Sequence, residues 1–224
     1  MTESRTALIT GATSGLGRAL AERFDEEGWN LIMNGQRPGD PPVPIRNGHS
    51  YIRGDLRMRE TMDDLHQAAK RRGLDILINC AGVRFEKTLC MEAPYEVDEE
   101  LALNLEVPIL LTRRMWPIFK RQRSGTIVNI GSTAADTPGK DEAVYAASKG
   151  GLRSFTQAIQ RDATAINVRA LYVAPGAMST EMTMGRDDRG KLMDPRHVAQ
   201  TIFTLCHQPS SLRVTDVTMQ RMAY

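Results

Sequence analysis

The feature that most constrains this chain is a regular alternation of short apolar runs with amphipathic ones. Residues 6–10 (TALIT), 30–34 (NLIMN), 50–54 (SYIRG), 75–79 (DILIN), 125–132 (GTIVNIGS), 167–175 (NVRALYVAP) and 213–219 (RVTDVTM) read as strands. Helical periodicity fills 15–27, 58–72, about 95–122, 144–165 and 194–207 between most of them. Strands that are apolar through their middles need cover on both faces, which a parallel sheet between two helical layers supplies. The chain is therefore expected to be α/β, a doubly wound parallel sheet of about seven strands with helices on both faces.

Two stretches interrupt the alternation. Residues 37–48 carry four prolines and leave no room for a crossover helix, so a loop or single turn should join the second and third strands. Residues 176–194 are polar and rich in methionine. Met178, Met182, Met184 and Met193 suit either a mobile lid over varied apolar ligands or simple packing on the sheet edge.

At 224 residues, 41% of them hydrophobic, the chain has enough for one sizeable core, and a single domain over 1–224 is expected. The net charge is only +2. The basic clusters Lys70, Arg71, Arg72 and Lys120, Arg121, Arg123 close helical runs, where they complement the dipole rather than form a nucleic-acid surface. Cys80, Cys90 and Cys206 lack a paired spacing, and His49, His66, His197 and His207 make no ligand pair. Neither disulfides nor a metal are expected, and a reducing compartment is. With no export leader and no run near the roughly 20 apolar residues of a membrane span, a cytoplasmic location away from membranes is expected.

Gly11, Gly15 and Gly17 lie between the first strand and the first helix. Glycine in a helix costs about 1 kcal/mol relative to alanine, so the cluster answers to a backbone that bends sharply or to a ligand that comes close. Strand, glycine-rich turn and helix is also the arrangement that aims helix N-terminal N–H groups at a diphosphate. Taken alone, the spacing leaves a tight turn and a nucleotide cradle both open.

Tyr145 and Lys149 stand four residues apart on a helical run and project on one face. A free tyrosine titrates at about 10, and an ammonium beside it would stabilise the phenolate and lower that value. Ser132 ends a strand, and strand ends of such a sheet open on the ligand crevice.

These features come in a fixed order: Thr10, Gly11, Gly15 and Gly17 as TGxxxGxG, Asp55 in GDL, NCAG at 79–82, Asn104, Ser132, YAASK ending at Lys149, and PGAMST from Pro175 to Thr180. In this the chain resembles the short-chain dehydrogenase/reductase family over nearly its whole length. The resemblance implies a Rossmann-like fold and an oxidoreductase that interconverts a carbonyl and a secondary alcohol with NAD(P). It makes Tyr145 the general acid or base, Ser132 the holder of the substrate oxygen and Lys149 a further ligand of the nicotinamide ribose, with Asn104 completing a proton relay through water. It also places Gly11, Ser14, Gly15, Leu16 and Gly17 around the pyrophosphate and Asp55 and Leu56 beside the adenine. Asn79, Ala81 and Gly82 would pass beneath the adenosine ribose, with Pro175, Gly176 and Thr180 toward the nicotinamide. Asp55 is equally suited to closing a local turn, and Cys80, in place of a second asparagine, reads as a small buried hydrophobe.

An NAD-preferring dehydrogenase usually carries a carboxylate at the end of the second strand for the ribose hydroxyls. Here Gly35 holds that place, Arg37 offers a guanidinium fork to a 2′-phosphate and Gln36 a further donor. NADP is therefore expected, NAD being the alternative, and Gly35→Asp should shift the choice toward NAD. A catalytically silent nucleotide sensor or scaffold is the competing function, against which stands the set Asn104, Ser132, Tyr145, Lys149. A sugar-nucleotide epimerase or dehydratase would need more chain after Pro175. The expected partners are a small carbonyl or alcohol substrate and further copies of the chain, as a homodimer or homotetramer, with no nucleic acid. The helical runs 95–122 and 144–165 are available for a dimer, whereas VTMQRMAY lacks the glycine pair that serves tetramer contacts in many relatives.

Overall fold

The computed structural model describes residues 5–37, 39–185, 188–209 and 211–222. Strands β1 (Thr6–Ile9), β2 (Asn30–Gly35), β3 (Ser50–Arg53), β4 (Ile76–Asn79), β5 (Gly125–Ile130), β6 (Val168–Pro175) and β7 (Asp216–Met219) form one sheet. Its order is β3-β2-β1-β4-β5-β6-β7, and every pair is parallel. The winding reverses between β1 and β4, where an open parallel sheet splays a crevice beyond its strand ends.

Alternate residues of the central strands serve opposite layers, which is why those strands are apolar throughout. Ala7 and Ile9 enter one core cluster and Leu8, between them, enters the other; all three are fully buried. Burial this complete stabilises by roughly 1.5–3 kcal/mol for an aliphatic side chain such as Leu8. One layer is α1 (Gly15–Glu26) packed on α6 (Pro195–Cys206). The other is α2 (Arg59–Arg72), α4 (Val107–Gln122) and α5 (Ala143–Ala165). No described helix is long and apolar enough to cross a membrane. The basic clusters fall in the last turns of α2 and α4, as the dipole argument requires.

The helix expected over 95–122 is interrupted. Helix α3 (Pro94–Leu101) passes into a π turn at Ala102–Glu106 before α4 begins, and the Val107 N–H reaches back to the Ala102 carbonyl. Pro108 gives a reason: it has no N–H to return to the Asn104 carbonyl, so an unbroken α-helical ladder does not form here. Between β2 and β3 the chain runs as a loop that tucks Val43 into the core. Pro38 in that loop, and Ala223 and Tyr224 at the end of VTMQRMAY, lie outside the described residues.

Candidate active site

A cleft of about 650 Å³ opens at the C-terminal ends of the central strands. Its wall takes in Gly11, Ser14, Gly15, Leu16, Gly17, Arg37, Asp55, Leu56, Ala81, Gly82, Ser132, Tyr145, Lys149, Pro175, Gly176 and Thr180. Of the residues singled out in the sequence, Asn79 and Asn104 stand off it.

The glycines answer first to the backbone. Gly11 has φ +65, and a Cβ there would lie 2.8 Å from the Ala81 Cα, while a Cβ on Gly17 would lie 2.1 Å from the Gly11 carbonyl oxygen. The turn folds back on itself against β4 and so brings the N-terminus of α1 to the cleft wall, a seat for a diphosphate. Thr10 fixes the facing turn: its Oγ1 accepts from the Cys80 and Ala81 N–H groups at 2.9 and 3.0 Å.

Asp55, Asn79 and Gly35 each answer to contacts within the protein. Asp55 lines the cleft, yet its carboxylate closes its own turn by accepting from the Arg57 N–H at 2.9 Å and pairing with the Arg57 guanidinium at 2.7 Å. That pairing holds the carboxyl below its ordinary value, and Gln36 donates to it at 3.3 Å. The Asn79 side chain turns inward. Its Nδ2 donates to Asn129 Oδ1 at 2.7 Å and Thr112 Oγ1 at 3.3 Å, and Asn129 donates on to Thr156 Oγ1 at 2.8 Å. This buried polar chain ties β4 and β5 to α4 and α5. At Gly35 a Cβ would lie 2.3 Å from Thr13 Cγ2 and 3.1 Å from the Tyr51 hydroxyl, so Gly35→Asp is a poor cofactor switch: Thr13 must give way first.

At the other end Tyr145 and Lys149 occupy the first turns of α5, 9% and 5% exposed. The Lys149 Nζ donates to the Ile130 carbonyl at 3.0 Å and stands 5.7 Å from the centroid of the Tyr145 ring. Burial lowers Lys149 to about 8, against the opposing pull of Cys80 and Glu100. Burial also raises the Tyr145 phenol, an effect that a hydrogen bond with Ser132 partly offsets. The expectation of a lowered phenol is thereby corrected: desolvation outweighs the contacts that favour the phenolate. Ser132 Oγ accepts from the Ala134 N–H at 3.1 Å. Burial pushes the Cys80 thiol up to about 12, which keeps it protonated.

Asn104 sits in the π turn, fully buried, and its amide is a clamp. Its Oδ1 accepts from the Val83 N–H at 2.9 Å, and its Nδ2 donates to the Val83 carbonyl at 2.8 Å and to Ser148 Oγ at 3.2 Å. The side chain thereby ties the Val83 backbone to α5 through Ser148. Sequence reasoning missed Arg84 and Glu142, an ion pair at 2.7 Å in the cleft wall. Their signal was position: Arg84 closely follows NCAG, and Glu142 lies one helical turn before Tyr145.

The sequence matches the family described as short chain dehydrogenase over residues 5–190. It is 25% identical to an uncharacterized oxidoreductase of Staphylococcus epidermidis, with 97% of each chain covered. Among solved structures it is similar to a 3-ketoacyl-(acyl-carrier-protein) reductase from Brucella melitensis complexed with NADH, at 26% identity and a TM-score of 0.87 over 97% of each chain. It is also similar to the closed form of a serine dehydrogenase complexed with NADP+, at 25% identity and a TM-score of 0.84, covering 96% of this chain and 94% of that one.

Proposed function

The chain belongs to the short-chain dehydrogenase family and is an NAD(P)-dependent oxidoreductase, and from that premise we propose that it interconverts a carbonyl and a secondary alcohol with Tyr145 as general acid or base. The observation that carries this reading is that one cleft holds both the glycine turn and the side chains of Ser132, Tyr145 and Lys149. A bound nicotinamide supplies or accepts the hydride. Ser132 takes the Ala134 N–H on its oxygen and shares its O–H between the Tyr145 oxygen and the substrate oxygen. Tyr145, dry and raised, holds its proton at neutral pH and gives it up as negative charge develops on that oxygen. Lys149 binds the nicotinamide ribose and offsets the phenolate. A water relay at Asn104 would use the main-chain carbonyl, for which Pro108 supplies no N–H.

Arg37 in the cleft wall and the absence of an acid at Gly35 favour NADP over NAD. We read residues 1–224 as one domain, because the seven strands share one sheet, and as a homo-oligomer of the cytoplasm, where its three free cysteines would stay reduced. The test is a carbonyl panel run with NADPH and NADH on the unmodified protein and on Tyr145→Phe. Turnover with the higher kcat/KM for NADPH is expected, with kcat falling by roughly 10²–10⁴-fold in the variant while dinucleotide affinity holds. A variant that keeps most of its kcat refutes the role of Tyr145. An unmodified protein that binds dinucleotide and turns over nothing is the sensor or scaffold instead.

A further inference from the structure

We propose that Tyr172 is a positioning residue whose buried hydroxyl locks the backbones of Ser132 and Lys149 together and so sets where the serine stands relative to α5. The proposal rests on the oxidoreductase reading above. Tyr172 lies on β6, is fully buried and is absent from the cleft wall, so it touches neither substrate nor cofactor. Its Oη accepts from the Ser132 N–H at 3.3 Å. Its proton faces the Lys149 carbonyl at 3.2 Å and the Ser132 carbonyl at 3.4 Å. One proton serves one carbonyl at a time, and both acceptors belong to the two residues whose side chains flank Tyr145.

The neighbours are built around this ring. A Cβ on Gly131 would lie 2.0 Å from Tyr172 Cζ and 2.1 Å from its hydroxyl, so the residue before Ser132 must lack a side chain for the phenol to reach its place. The Arg153 guanidinium lies 5.9 Å from the centre of the ring, held by Asp216 on β7 at 2.7 Å and by Asp136. Burial pushes the phenol up to about 12, so it remains a donor throughout the range in which the enzyme would work. A phenylalanine would fill the same space. The hydroxyl alone reaches Ser132 and Lys149, and an active site loses rate steeply when its groups shift by fractions of an ångström.

Tyr172→Phe in the full chain therefore separates positioning from packing. Expected are a fall in kcat of about tenfold, dinucleotide Kd and substrate KM within about twofold, and faster hydrogen exchange at the Ser132 amide. A kcat within about twofold of the unmodified protein overturns the proposal, and so does a loss shared equally by kcat, Kd and thermal stability, which marks a general structural defect. No turnover by the unmodified protein on any carbonyl or alcohol overturns the oxidoreductase reading itself and takes this proposal with it.

Discussion

Lys149 holds a conflict in one side chain: the chemistry asks for a cation where the fold has removed the water that cations need. Its folded value is about 8 against an ordinary 10.5. Below about 8 the amine is charged folded and unfolded, and the fold bears the whole cost of burying it; between the two values the unfolded chain keeps a proton that the folded one has lost. Stability from this group therefore rises with pH across that window, and above 10.5 the cost is gone. Lys149→Met should raise the Tm most at neutral pH, with the advantage shrinking from about pH 8 upward. Thermal unfolding of both proteins across that range checks it, and a difference in Tm that ignores pH would sink the argument. Residues of this kind were legible because spacing alone puts Tyr145 and Lys149 on one helix face. Tyr172 was not, because its partners Gly131 and Ser132 are brought to it by strand pairing and not by sequence.

At the scale of elements, the strands and helix ends could be read from periodicity, whereas the π turn could not. Apolar periodicity records which side is buried and says little about one inserted residue. The loop over 176–194 divides the two readings given for its methionines. Its base is anchored, with the Ser179 N–H donating to the Met193 carbonyl at 2.9 Å and the Met193 N–H to the Ala177 carbonyl at 3.2 Å, and Met178 and Met193 pack on the core. Met182 lines the cleft and Met184 is 61% exposed, while Arg186 and Asp187 lie outside the described residues. Closure of this loop would hinge above that base. Adding dinucleotide with a substrate should slow hydrogen exchange at 180–184 and leave the Ser179 and Met193 amides as they were. Unaltered exchange along the whole loop would refute the closure.

The whole molecule shows what periodicity leaves out: seven strands could be counted in the sequence, but their order follows from which edges meet in space. That order puts β1 inside the sheet, with Thr6 opposite Asn30 on one side and Ala7 opposite Ile76 on the other. Synthesis runs the other way. A ribosome completes this inner strand first and must extend the chain to β4 before its second edge is covered, so a strand paired on both edges in the finished protein stays open along one edge in the nascent one. Arrested nascent chains that end before residue 75 should be cut readily across β1 and α1 by added protease. Chains with residues 1–130 clear of the exit tunnel should resist, and equal resistance in both would mean that β1 finds cover before its partner strand exists.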